Sequence, residues 1–225
     1  MSSDMTSDTT TGTTTGTTTG TTTGTTTGTT TQTRVPEAEI TGVYGAMVKM
    51  LTRKMLGQVP DSVGVMWQQP KVFKTLMGFG RKVDKWDALG EPLATYAAMA
   101  AAGRVGCGFC LDFAYFMAHS RHLDEDKVRQ VPRWRESDVF SVLERRVMDY
   151  AEAMSQTPPA VTDELSAWLL ARLGPAAMVE LAARVAAANL TARANIALGI
   201  RSQEFSAACG LVPLAVPSAD VASAP

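Results

Sequence analysis

Over residues 36–202 the apolar side chains recur at intervals of three and four rather than two, so the chain can bury them only as the inward faces of helices. No segment alternates long enough to read as a strand, and the breakers fall where helices have to end: Gly57 with Pro60, Pro158-Pro159, and Gly174-Pro175. The chain is therefore expected to be all-α.

A first helix is predicted over residues 37–57, with Val43, Met47, Met50 and Leu51 on its buried face, followed by a short piece over 61–68. Pro70 suits the first turn of a third helix. Glu91-Pro92 opens a fourth, whose alanines at 97, 98 and 100–102 let a neighbour approach closely and which Gly103 is expected to stop. Helices over 107–122, from Ser137 or Asp138 to about Met154, over 163–173 behind a Thr162 cap, and from Pro175 to about Leu198 complete the body. The stretch 129–135 reads as a solvated connection, and Pro213, Pro217 and Pro225 mark a loosely packed end.

Residues 1–33 stand apart. Thr-Thr-Thr-Gly recurs there with glycines at 12, 16, 20, 24 and 28, offering almost no apolar surface to offset the entropy of ordering, about 1–2 kcal/mol per residue. The expected organisation is a disordered low-complexity tail (1–33), a helical domain (34–208) and a loosely ordered C-terminal tail (209–225). Removing Asp4 and Asp8 with the first tail turns the net charge of −1 into a net +1, and no basic cluster stands free of acidic neighbours, which argues against nucleic acid. No apolar run approaches the eighteen or so residues of a membrane span.

The chemistry-bearing segment is Gly106-Cys107-Gly108-Phe109-Cys110. A thiol in the first turn of a helix faces unpaired backbone N–H groups and the positive end of the helix dipole, which favours the nucleophilic thiolate; Arg104 adds positive charge nearby. Sulfurs at positions i and i+3 share a face and can close a disulfide. With three cysteines in all and no export signal, a reducing, cytoplasmic setting is expected, where such a pair is more often catalytic than a staple. Zinc is disfavoured because His119 lies nine residues past Cys110, roughly opposite it on a straight helix. No metal or cofactor is expected, and Cys209 is read as a bystander.

The motif Val105-Gly106-Cys107-Gly108-Phe109-Cys110-Leu111-Asp112-Phe113 resembles the carboxymuconolactone decarboxylase-like superfamily, specifically its alkylhydroperoxidase D-like branch. Trp134-Arg135-Glu136-Ser137-Asp138 before a helix, the Thr157-Pro158-Pro159 break and residues 189–202 support the likeness. It implies an all-α alkylhydroperoxidase D-like helical bundle in a homo-oligomer, commonly a trimer or hexamer. It also implies a peroxidase or an electron donor to a peroxiredoxin. Cys110 is the peroxide-attacking thiol of that branch, Cys107 the one that exchanges with a dithiol reductant, such as a lipoylated or thioredoxin-like carrier.

The branch's proton relay, a glutamate twelve residues before the first cysteine and a histidine four after the second, is replaced here by Thr95 and Ala114. Glu91, Asp112, Tyr115 and His119 are the candidate substitutes. Each also has an ordinary reading: a first-turn acid, a satisfied polar group, a core aromatic and a solvated helix end. Arg193 and Asn195 are expected to make interhelical hydrogen bonds, the alternative being a place near a subunit interface or pocket. The function expected is a thiol-disulfide oxidoreductase with peroxidase activity; the alternative is a non-catalytic helical oligomer that senses redox state or binds a small molecule or partner.

Overall fold

The computed structural model of the chain describes residues 33–216. The tail over 1–33 therefore lies, except for Thr33, outside the described residues, as does the chain beyond 216. Nine α-helices and one 3-10 turn make up the described fold, which contains no strand: α1 (Gly42–Leu56), α2 (Asp61–Met66), α3 (Pro70–Val83), α4 (Glu91–Val105), α5 (Gly108–Ser120), α6 (Glu125–Val128), the turn Val131–Arg133, α7 (Val142–Met154), α8 (Asp163–Leu198) and α9 (Phe205–Ala208).

α4, α7 and α8 pack together at the centre. The small side chains of Ala97, Ala100 and Ala101 on α4 admit Val147, Met148 and Ala151 from α7 and Leu169, Leu181 and Val185 from α8, all fully or nearly fully buried. Close helix–helix approach of this kind follows from the alanine run itself. α8 is long and apolar enough to cross a membrane by length and composition alone. It is, however, two helices joined at a kink, where Gly174 leaves helical geometry (φ 76°, ψ 168°) ahead of Pro175, and its Leu165, Leu169, Ala177, Leu181 and Val185 belong to the core. A second, smaller cluster of Ile40, Val48, Val63, Trp67 and Phe73 holds α1, α2 and α3 together.

Five expectations change. The stripe assigned to the buried side of α1 faces outward: Val43 is 92% exposed, and Met47, Met50, Leu51 and Met55 are also exposed. Gly103 does not stop α4, which runs on to its cap at Gly106.

The cap of α7 is Ser141, not Ser137 or Asp138. Its hydroxyl accepts from the Glu144 N–H while the Glu144 carboxylate accepts from the Ser141 N–H, a capping box that Ser137 and Asp138 cannot form because no glutamate stands three residues on.

The supposed solvated connection is a plug. Val128, Val131 and Trp134 are buried, Trp134 donates to Glu152 (2.6 Å), and Arg135 stacks on the Trp134 ring while pairing with Glu152 and Asp149. The C-terminal segment is docked as far as it is described: Leu211 and Leu214 pack on the core, and Ala215 N–H donates to Arg129 O (2.9 Å).

Candidate functional site

α4 and α5 form an antiparallel hairpin whose turn holds the cysteines. Gly106 closes α4 in the left-handed region (φ 85°), where a residue with a side chain is strained. The N–H of Gly106 then reaches Gly103 O and that of Cys107 reaches Ala102 O (2.9 Å), the Schellman pattern. Cys107 ends one helix and caps the next, its sulfur accepting the Cys110 N–H (3.2 Å). One turn into α5 stands Cys110, joined to Cys107 by a disulfide with 5.3 Å between the Cα atoms. Cys107 is buried, 1% exposed, whereas Cys110 is partly open.

The end of α8 lies beside this turn. Asn195 donates its side-chain N–H to Cys110 Sγ (3.5 Å). On the other side, Phe109 and Phe113 stack in parallel on α5, and the buried Phe205 ring of α9 meets both edge-on. Phe205 is placed by Asp112, whose two carboxylate oxygens accept from Ser202 Oγ (2.8 Å), Phe205 N (3.0 Å), Ser206 N (3.0 Å) and Ser206 Oγ (2.7 Å). Burial by itself pushes the Asp112 carboxyl up, but these hydrogen bonds outweigh it and hold it below the usual carboxylate range. Asp112 is a clamp on the C-terminal segment, its acceptor capacity taken up by those four hydrogen bonds.

None of the other candidate relay groups is brought to the thiols. Glu91 starts α4, about 20 Å along the axis from its cysteine end, and pairs with Arg121 (3.2 Å). His119 stands about 13 Å beyond Cys110, exposed, on Glu125 (2.6 Å). Tyr115 is a core aromatic whose hydroxyl has no hydrogen-bond partner among the described residues; burial, then the Glu125 charge, raises its pKa. Ala114 packs against the core, and Arg104 is exposed at the end of α4. Among the described residues no group of three or more His, Cys, Asp or Glu side chains is placed to hold a metal ion.

Residues 70–153, the span from the first residue of α3 almost to the end of α7, match the carboxymuconolactone decarboxylase family. The fold of the whole bundle agrees. Over that span the chain is similar to the carboxymuconolactone decarboxylase family. Within curated proteins it is 41% identical over 97 residues to YnjA of Escherichia coli, a stretch that is 43% of this chain and 53% of YnjA, so the match spans about half the length of that relative. Among solved structures it is similar to the debrominase Bmp8 in complex with 2,3,4-tribromopyrrole (20% identity, TM-score 0.67, 79% of this chain and 97% of that one). It is also similar to an alkylhydroperoxidase AhpD core protein from Ralstonia eutropha, described as peroxidase-related (17% identity, TM-score 0.66, 83% and 98%). At these identities the structural likenesses establish the carboxymuconolactone decarboxylase-like fold.

Sequence reasoning paired the cysteines and expected interhelical hydrogen bonds of Asn195, but did not identify Cys110 Sγ as its partner, a contact made across a separation of 85 residues. No local pattern carries such a contact. The aromatic wall was half visible, in the i, i+4 spacing of Phe109 and Phe113; its third member, Phe205, lies beyond the last segment with helical periodicity.

Proposed function

We propose that this protein is a thiol-disulfide oxidoreductase with peroxidase activity, acting through Cys107 and Cys110. The observation that carries the reading is the pair itself: two sulfurs bonded across the first turn of α5, each receiving one N–H donor, with Cys110 partly exposed and Cys107 buried. In the reduced protein the Cys110 thiolate attacks the outer oxygen of a hydroperoxide. The O–O bond breaks, Cys110 becomes a sulfenic acid, and the departing alkoxide takes its proton from water. Cys107 then attacks the sulfenic sulfur and expels water, closing the disulfide. One peroxide and two thiols give one alcohol, one water and one disulfide, and an external dithiol, a lipoylated or thioredoxin-like carrier, restores the thiols as it becomes a disulfide itself.

The burial of Cys107 favours entry of that dithiol at Cys110 rather than at Cys107, with Cys107 leaving as a thiolate that the Cys110 N–H stabilises. This inverts the reductant's entry point that the family resemblance implies. A reducing, cytoplasmic setting belongs to the same proposal.

The competing reading is a stoichiometric redox sensor, favoured by the distance of Glu91 and His119 and the full engagement of Asp112. General acid–base help is worth about 10²–10⁴ in rate, and none of these groups is placed to supply it. Turnover decides between them. Reduced protein given cumene hydroperoxide and excess dihydrolipoamide is expected to consume many equivalents of peroxide per chain; oxidation that stops after one equivalent would leave the sensor.

The exposed stripe of α1 is proposed to meet a second copy of the chain in a homo-oligomer. Val43, Met47, Met50, Leu51 and Met55 run along one helix face, and a monomer would leave that face in water. Light scattering on the wild-type protein is expected to give a multiple of the chain mass, the trimer or hexamer being the resemblance's suggestion, and Met47→Glu with Met50→Glu a lower one at unchanged helicity. A monomeric wild type ends this part of the proposal.

A further inference from the structure

We infer that Asn195 is a catalytic residue, the hydrogen-bond donor that holds the Cys110 sulfur as a thiolate. The assignment rests on the thiol chemistry proposed above and gives the emptied relay a different kind of replacement: a fixed dipole in place of a proton carrier.

The contact is made in the oxidised state, where Cys110 Sγ is a neutral disulfide sulfur and a poor acceptor. On reduction and ionisation a full negative charge develops on that same atom, and a donor already aimed at it gains strength without moving. Cys107 already takes the Cys110 N–H, leaving Cys110 without a backbone donor of its own among the contacts found. A carboxamide neither gains nor loses a proton near neutral pH. Asn195 can therefore lower the thiol's pKa but cannot protonate the alkoxide, in keeping with the solvent proton in the scheme above.

The donor's position is fixed from behind. Asn195 is the Schellman acceptor of α8: Ile200 N–H reaches its carbonyl (2.9 Å) and Gly199 N–H reaches Ile196 O (3.1 Å), with Gly199 in the left-handed region (φ 75°). Arg34 satisfies the rest of the helix end, its guanidinium donating to Ile196 O (2.9 Å) and Ala197 O (3.1 Å) and its backbone N–H to Leu198 O (3.0 Å). All four terminal carbonyls of α8 are thus paired, and a cation sits on the negative end of the helix dipole, which would otherwise oppose a thiolate beside it.

The test uses the full-length chain with Cys107→Ser and Cys209→Ser, so that Cys110 is the sole thiol, and follows iodoacetamide alkylation against pH. Asn195→Leu, close in size but without the donor, is expected to move the alkylation profile to higher pH and lower the thiolate fraction at pH 7 about tenfold. Asn195→Asp is expected to move it further, because a carboxylate there repels the thiolate. Two profiles that coincide with the parent's, in proteins of unchanged circular dichroism, overturn the assignment. The redox reading is checked separately, by peroxide-driven disulfide formation in the otherwise wild-type chain, so either can fail without the other.

Discussion

Cys110→Ser is expected to stop peroxide consumption altogether, a loss of about 10³-fold or more, equivalent to at least about 4 kcal/mol of barrier, whereas Cys107→Ser is expected to preserve the first chemical step and lose only turnover. The difference follows from exposure and position. Cys110 is the partly exposed cysteine of the pair and the one that meets Asn195, so without it the pair keeps only its buried member. Cys107 is buried, and in the proposed scheme its part is to resolve. Serine at 107 retains an oxygen that can accept the same N–H, and serine is among the preferred residues for a helix N-cap, so α5 should start where it does now. The Cys110 sulfenic acid then has no partner and persists, trappable by dimedone and open to further oxidation. The measurement is mass spectrometry after one equivalent of peroxide, in a Cys209→Ser background because Cys209 is free and exposed. A sulfenic acid that collects on Cys107 in the Cys110→Ser protein instead would reverse the two roles.

Much of this site was legible because it is local. The turn from α4 into α5 needs a glycine in the left-handed region, a residue that both ends and begins a helix, and a second thiol one turn on; all of this lies within five consecutive residues. The helix ends marked by Thr162 and Gly174-Pro175 were legible for the same reason. What sequence did not carry was depth. The stripe on α1 has the period of a buried face, and periodicity alone does not say which surface covers it. The arginines at 129–135 read as a solvated loop, although Val131 and Trp134 are buried and Glu152, well along the chain, receives both Trp134 and Arg135. Asn195 reaches Cys110, and Phe205 reaches Phe109 between the cysteines, from the far end of the chain, outside the stretch that carries the family match. For Asp112 the ordinary reading prevailed: its partners are the first N–H groups of a four-residue helix that has no periodicity to announce it, with the hydroxyls of Ser206 and of Ser202 just ahead of that helix.

That clamp gives the second large effect, and it carries a pH dependence of definite sign. Asp112 accepts four hydrogen bonds from residues 202–206, and through them seats Phe205 against Phe109, Phe113 and Phe116. With alanine at 112 those donors lose their acceptor inside the protein, and the segment is expected to open at a cost lower by about 3 kcal/mol, close to a 10²-fold faster amide exchange at Phe205 and Ser206. The core of α4, α7 and α8 makes no use of this carboxylate, so its amides should exchange as before. In the wild-type chain the folded carboxyl lies below its ordinary value of 3.8, so the open segment binds a proton more readily than the closed one. The clamp's stabilisation is therefore complete above about pH 4 and drains away as the pH falls through the lowered folded value. Amide exchange at Phe205, corrected for its intrinsic pH dependence, should show protection lost on that acid side alone and absent at every pH in Asp112→Ala. Because Phe205 borders the cysteine turn, the same opening should speed alkylation of reduced Cys110 in the variant. An exchange pattern indifferent to residue 112 would mean that packing of Phe205, not the carboxylate, holds the segment over the site.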